Sequence, residues 1–192
     1  MKSLSVIVPA FNEERLLAGS LQSLKAACAP LANRGWIFEL IVCDNNSTDG
    51  TAAIARAEGA KVVFEPFNQI AKARNTGAAA ATGEWLLFVD ADSSPTRELI
   101  ADLIDAIETG RYLAGGAALE MDAGGPVGRL LLAWWNWASR MGRWFAGAFI
   151  FVETAAFRQI GGFDERYFAG EEIDLSRRLK RLARKSGRKL TL

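Results

Sequence analysis

Residues 84–92 read Glu84-Trp85-Leu86-Leu87-Phe88-Val89-Asp90-Ala91-Asp92, an apolar run that breaks directly into two carboxylates. Apolar residues without polar alternation fit a strand buried on both faces, the habit of parallel sheets covered by helices. Two acids separated by one residue at the strand end can reach a divalent cation, because hard oxygen ligands suit Mg2+ or Mn2+. The competing reading makes this turn a helix N-cap ahead of Pro95, a task that Ser93 or Ser94 can perform instead.

Outward from this strand the same alternation repeats. Leu4 to Val8 predicts a short buried strand ended by Pro9, and Leu17, Leu21, Leu24 and Cys28 follow at helical spacing. Trp36 to Cys43 predicts a second strand, and Ser47-Thr48-Asp49-Gly50 starts a short alanine-rich helix. Lys61 to Glu65 predicts a third strand, cut by Pro66. Gln69 to Ala81 reads as a helix whose small residues Ala73, Gly77 and Ala81 permit close packing. Pro95 opens a helix with Ile100, Leu103, Ile104 and Ile107 on one face. The fold class is therefore α/β, with a mainly parallel central sheet flanked by helices. Such sheets bind ligands beyond the carboxyl ends of their strands, which is where Asn12-Glu13, Asp44-Asn45-Asn46 and Asp90-Ala91-Asp92 fall.

The second half is less regular. It predicts a strand over 111–121, a break at Gly124-Gly125-Pro126 and a helix over 127–144. A strand over 148–152, a turn at Gly161-Gly162, a helix over 172–185 and a strand beginning at Arg188 follow. The chain ends within that last element, which points to a longer natural protein. Residues 1–192 read as one domain.

With 192 residues, 50% hydrophobic and 23% charged, the chain is long and apolar enough for one ordinary globular core, so disorder and fibrous classes are excluded. The absence of histidine excludes Ser-His-Asp and Cys-His catalysis and histidine-bound zinc, leaving proton transfer to carboxylates, Lys, Tyr or Cys. Cys28 and Cys43 cannot build a disulfide framework and read as small buried hydrophobes in a reducing compartment. The N-terminus lacks a cationic region followed by a long apolar segment, so a cytoplasmic location is expected. The net charge of +1 hides an asymmetry. Residues 175–192 carry eight bases and no acid, and the rest carries 15 bases against 22 acids.

Other patterns compete with this chemistry. Asp44-Asn45-Asn46-Ser47-Thr48-Asp49-Gly50 resembles a calcium loop, but its glycine is in seventh place and the twelfth is Ala55, so a turn with a helix cap competes with a ligand role. Neither a Walker pattern nor G-x-G-x-x-G occurs. Glu171, Glu172 and Asp174 stand at a helix start, where acids complement the dipole; Asp174 has Arg177 and Arg178 for partners, and Glu172 has none evident. Like charge crowded near a second acidic site can tune one carboxylate toward a base role.

In order along the chain stand Val6 to Glu14, Asp44 to Thr51, Ala73-Arg74-Asn75-Thr76-Gly77, Asp90-Ala91-Asp92, Gly161 to Glu165 and Gly170 to Leu175. This set resembles the family 2 glycosyltransferases, with the nucleotide-sugar-binding GT-A fold. The resemblance implies inverting transfer of a sugar from a nucleotide-diphosphate donor to an acceptor hydroxyl, with a divalent metal, Mn2+ or Mg2+. It implies that Pro9, Phe11 and Glu13 line the nucleotide pocket. Asp44 would accept a base N–H, with Asn46 beside it, and Arg74 would approach the nucleotide. Asp90 would sit near the ribose, Ala91 would be among the donor-binding residues, and Asp92 would bind the metal, with Asp90 contributing indirectly. The base of the family lies in a Glu-Asp pair; here the aligned pair is Glu171-Glu172, which makes Glu172 the first candidate and Glu171 and Asp174 the next. The common second-acid pair after Asp44 is replaced by Asn45-Asn46.

Two other functions compete. A nucleotidyltransferase would carry a glycine-rich, basic loop after the first strand, where this chain has Phe11-Asn12-Glu13-Glu14. A non-catalytic nucleotide-sugar-binding module has no need of both Asp92 and Glu172. A nucleic-acid partner is not expected. The segment 127–144 is rich in Trp and carries Arg129, Arg140 and Arg143; it is too short and charged for a membrane span, which needs ~20 apolar residues. It reads as a core-packing helix or as an interfacial helix that, with the basic C-terminal helix, gives peripheral contact at the inner face of a membrane and a lipid-linked acceptor.

Overall fold

A computed structural model describes residues 2–117, 145 and 148–191. The strands are β1 (Lys2–Ala10), β2 (Trp36–Asp44), β3 (Lys61–Phe64), β4 (Trp85–Val89), β5 (Tyr112–Gly116), β6 (Phe149–Glu153) and β7 (Lys189–Thr191). They form one sheet in the order β3-β2-β1-β4-β6-β5-β7. Parallel pairing joins β1, β2, β3 and β4, and again β5 and β7, while β6 alone runs against its neighbours. The helices are α1 (Leu17–Cys28), α2 (Thr51–Ala57), α3 (Ile70–Ala79), α4 (Arg97–Glu108), α5 (Thr154–Gln159) and α6 (Glu171–Lys185).

Both faces of the sheet are covered, as the continuous apolar strands predict. On one face Val6, Val8, Leu40, Val42, Leu87 and Val89 meet α1 and α4. On the other, Ile7, Ile41, Leu86 and Phe88 meet α3, α5 and α6 through Ala71, Phe157, Leu175 and Leu179. The period of two along each strand assigns alternate residues to opposite cores. Gly77 allows α3 to lie against β1, since a Cβ there would stand 2.5 Å from Ile7 Cγ2.

Several boundaries differ from those the sequence predicts. β1 passes through Pro9, with Pro9 paired to Cys43 and Ala10 to Asp44. Pairing with β4 ends at Ile7, so only one neighbouring strand makes demands on the Pro9 backbone, which lacks a donor. α4 starts at Arg97, two residues beyond Pro95, because the Thr96 hydroxyl accepts from the Leu99 N–H and supplies the cap. Neither Ser93, Ser94 nor the Asp90-Ala91-Asp92 turn is needed for it. α6 starts at Glu171, after Gly170 at φ +79°. Of the strand predicted over 111–121, the part seen is Tyr112–Gly116, and the helix predicted over 127–144 lies outside the described residues.

Cys28 and Cys43 are fully buried, and burial pushes both thiols up to about 12. Among the described residues no helix is long and apolar enough to cross a membrane.

Candidate active site

The parallel strands end together, and a cleft of about 250 Å³ opens over their carboxyl ends, lined by Pro9, Ala10, Phe11, Glu13, Asn45, Ile70, Asp90, Ala91 and Asp92. β1 and β4 deliver its floor: Pro9 and Ala91 are buried there, and Phe11 is 48% exposed at the edge. Of the residues implied by resemblance, Pro9, Phe11, Glu13, Asp90, Ala91 and Asp92 are brought together.

The walls are latched to each other by the loops after β1 and β2. The Thr48 N–H donates to Asn12 Oδ1 at 2.8 Å and the Asn12 N–H to the Ser47 hydroxyl at 3.0 Å. Glu14 accepts from the Gly50 N–H, and the Glu13 N–H donates to the Thr51 hydroxyl. The calcium-like stretch is thus a turn: Asp44 Oδ1 accepts the Ser47 N–H at 3.0 Å, an Asx arrangement that leads into α2. Asp44 is buried and does not line the cleft. Asn46, at φ +65°, is exposed, and its amide donates to Asn68 instead. Asn45 is the residue that lines the cleft, 6% exposed, its Nδ2 donating to the carbonyls of Phe67 and Glu65. Asn45 belongs to the strand-end group the sequence places here, though the resemblance puts Asn46 in the pocket; Ile70 is a lining residue the sequence does not single out. The register of β2 against β1 carries the signal for Asn45, whose N–H continues the ladder to the Ala10 carbonyl at 2.8 Å.

Arg74 does not line the cleft. It lies on α3 with 1% of its side chain exposed, bonding Asp90 Oδ1 through Nη2 at 3.1 Å and Glu171 Oε1 through Nη1 at 2.9 Å. Its guanidinium also sits 5.3 Å from the Phe163 ring centroid. The adjacent Asn75 exchanges two hydrogen bonds with the backbone of Phe163, each 2.9 Å. One turn of α3 therefore connects the strand-end acids to the start of α6.

At that start the three acids have different fates. Glu171 is buried against Arg74. Asp174 bonds Arg178 one turn on, the helix-surface pair its spacing predicts. Glu172 does have a partner, since its Oε1 lies 3.5 Å from Arg74 Nη1, yet its side chain stays 20% exposed. Burial is the largest influence on Glu171 and raises its carboxyl above the usual glutamate range; Glu172 and Asp90 push the same way, while Arg74 opposes them. Glu13 is raised too, by burial first and then by Asp92, Asp49 and Asp90. Three carboxylates, Glu13, Asp90 and Asp92, thus line the cleft, and of these Asp90 is paired with Arg74.

Among the described residues no group of three or more His, Cys, Asp or Glu side chains converges to hold a metal by itself. Mg2+ and Mn2+ are commonly held by one or two carboxylates plus substrate phosphates, and the chain offers that donor set. The Asp92 side chain is exposed and takes no hydrogen bond from the described residues, while Asp90 is committed to Arg74.

Residues 5–159 match the family model for glycosyl transferase family 2. A glycosyltransferase of Mycobacterium bovis is 31% identical over 140 residues, covering 73% of this chain and 56% of its own length. The S. aureus protein TarS in complex with UDP is 27% identical, with a TM-score of 0.68, over 90% of this chain and 53% of that one. A mannosyltransferase of Pyrobaculum calidifontis, solved with GDP-Man and Mn2+, has a TM-score of 0.73 at 22% identity, over 98% of this chain and 53% of its own. The chain thus spans about half the length of these relatives. These neighbours have the GT-A fold, and the α/β structure built on the seven-stranded sheet shares it.

Proposed function

The chain belongs to glycosyl transferase family 2, and from that premise we propose that it transfers a sugar from a nucleotide-diphosphate donor to an acceptor hydroxyl, with inversion at the sugar carbon. The observation that carries this reading is the link Asp90–Arg74–Glu171 with Glu172 beside it, which joins an acidic cleft to a carboxylate that only brushes Arg74 at 3.5 Å and keeps 20% of its side chain exposed. The relatives solved with UDP and with GDP-Man support a nucleotide in the cleft.

Phe11 gives the cleft an exposed aromatic edge on which a nucleobase can stack, and Asn45 borders the same cavity. Asp92 would hold Mn2+ or Mg2+ together with diphosphate oxygens, and the bound cation would neutralise the charge that builds on the departing diphosphate. Glu172 takes the proton from the acceptor hydroxyl as its oxygen attacks the sugar carbon from the face opposite the diphosphate. The bond from that carbon to the diphosphate oxygen breaks, and the leaving group keeps the electron pair. Glu171 is unsuited to this role, because its oxygen is bonded to buried Arg74. Asp174 is held by Arg178. Arg74 orients the carboxylates and is a positioning residue.

Incubation with UDP- and GDP-sugars, with and without Mn2+, tests the proposal through thermal shift. A donor that binds the folded chain must raise its melting temperature, and metal is expected to increase that shift. If no nucleotide sugar shifts the melting temperature in either condition, the reading is overturned. Formation of a nucleotide-diphosphate sugar and pyrophosphate from a nucleoside triphosphate and a sugar 1-phosphate would point to nucleotidyl transfer instead.

A further inference from the structure

The solvent face of α6 carries a cationic stripe that the transfer chemistry does not use. Leu175, Leu179 and Ala183 turn one side of the helix into the core, and Arg177, Arg181, Arg184 and Lys185 project from the other, all exposed. Their spacing of three and four residues aligns them along one face over about 12 Å. None of the four has an ion-pair partner among the described residues, whereas Arg178 and Arg188 are bound to Asp174 and Glu153. Lys189 in β7, which packs against α6, is exposed as well.

The loop that leads into this helix adds apolar surface. Phe168 is 82% exposed and Tyr167 44%. The Gln69 side chain fixes the loop by donating to the carbonyls of Glu165 at 2.6 Å and Tyr167 at 3.1 Å. Gln69 directly precedes Ile70, which lines the cleft, so these bonds tie the loop carrying the aromatic tip to the start of a cleft-lining helix. Exposed Phe67, two residues earlier, adds to it at 62%.

We propose that the stripe Arg177-Arg181-Arg184-Lys185 and the Tyr167-Phe168 tip dock the protein on an anionic lipid surface. Arginine guanidinium groups meet the lipid phosphates while Phe168 enters the headgroup boundary. A plane of charge suits a short stripe confined to one helix face. A long polyanion following the helix axis would instead run into Glu172 and Asp174 at its N-terminal end, and the chain outside 175–192 is net negative. The inference does not rest on the identity of the donor or on transfer itself. Its consequence is that the cleft works close to a membrane, where an acceptor embedded in lipid is within reach.

Co-sedimentation with vesicles of phosphatidylcholine alone, and of phosphatidylcholine with 30% phosphatidylglycerol, tests the proposal at low and high salt. Binding is expected to the anionic vesicles only and to weaken as salt rises. The Arg177→Gln/Arg181→Gln/Arg184→Gln variant should bind about a hundred-fold more weakly, at roughly five-fold per basic residue. Phe168→Ser tests the apolar contribution separately. Each variant alters exposed side chains only, and an unchanged melting temperature verifies the fold. Equal binding of wild type and triple variant overturns the proposal, as does failure to bind anionic vesicles at low salt. Retention by a DNA fragment in preference to the vesicles would assign the stripe to nucleic acid and overturn it equally.

Discussion

Arg74 and Glu171 form an ion pair sealed from solvent, with Nη1 2.9 Å from Oε1 and side-chain exposures of 1% and 3%. Such a pair is held by geometry: removing the cation leaves a carboxylate with no comparable partner in a medium that solvates it poorly. Arg74→Met should therefore cost about 3–5 kcal/mol of unfolding free energy. Arg74→Lys should recover part of this, because an ammonium keeps the charge but cannot bridge Asp90 and Glu171 with one planar fork. Urea denaturation of the three proteins measures it, and a loss below about 1 kcal/mol in the Met variant would contradict the account.

The pH dependence of stability follows from the same burial. Glu171 and Glu13 have carboxyls raised in the folded state, so the native protein binds more protons than the unfolded chain above pH 4.5. Their contribution is complete below that value and is lost as pH rises through the raised folded values. Glu108 and Asp164 have the opposite sign. Both are held down to about 2, by Trp36, Lys2 and Arg34 in the first case and Arg166 in the second, so their contribution fades as pH falls toward 2. Glu171→Gln should flatten the decline on the high side only. Thermal melts across pH 3 to 8 test this, and an unaltered profile above pH 4.5 rejects the assignment.

Asp92→Ala should leave unfolding free energy within about 0.5 kcal/mol of wild type, since the side chain is exposed and accepts no hydrogen bond from the described residues. It should nevertheless remove the Mn2+-dependent part of donor binding in calorimetric titration. Asp90→Ala should lower stability, because it takes away a partner of buried Arg74. Metal dependence that survives Asp92→Ala would move the cation elsewhere.

Glu172→Gln should keep donor affinity and reduce transfer by about 10²–10⁴-fold, the usual contribution of a positioned base. Near-normal turnover in this variant would falsify the base assignment and shift it toward Glu171 or Asp174.

Gly77→Val should destabilise by about 1–3 kcal/mol through overpacking, because a Cβ at that position meets Ile7 Cγ2 at 2.5 Å. Arg74 lies one turn before Gly77 on the same helix, so any lift of α3 from β1 should also reduce donor binding. Calorimetry and denaturant melts on the same preparation report the two effects together.

Much of the fold is written in local pattern. The four parallel strands and the amphipathic α4 follow from apolar runs and from Ile100, Leu103, Ile104 and Ile107 at helical spacing. Less legible were the features decided by neighbours. Pro9 is admitted within β1 because β4 stops pairing at Ile7, and the α4 cap falls on Thr96 where three hydroxyl residues compete. The reversed direction of β6 depends on which strand it meets, and no residue within Phe149–Glu153 announces it. The same holds at the site. Asp90 and Asp92 were readable at a strand end, but spacing alone cannot tell that Arg74, sixteen residues before Asp90, lies beneath both acid groups. The burial of Asp44 and the advance of Asn45 into the cleft arise from register between β1 and β2, a non-local quantity.

Hydrogen bonds within the protein join Asn12 to Ser47 and Thr48, and Glu14 to Gly50. On the proposed function, an entering nucleotide would meet loops already tied together and owe little entropy to ordering them. Discrimination among donors would then fall on shape and complementary charge, with small scope for the loops to adapt to a poor fit. A wrong nucleobase would be rejected by a stiff mould, and cutting the ties at Asn12 would trade that strictness for tolerance.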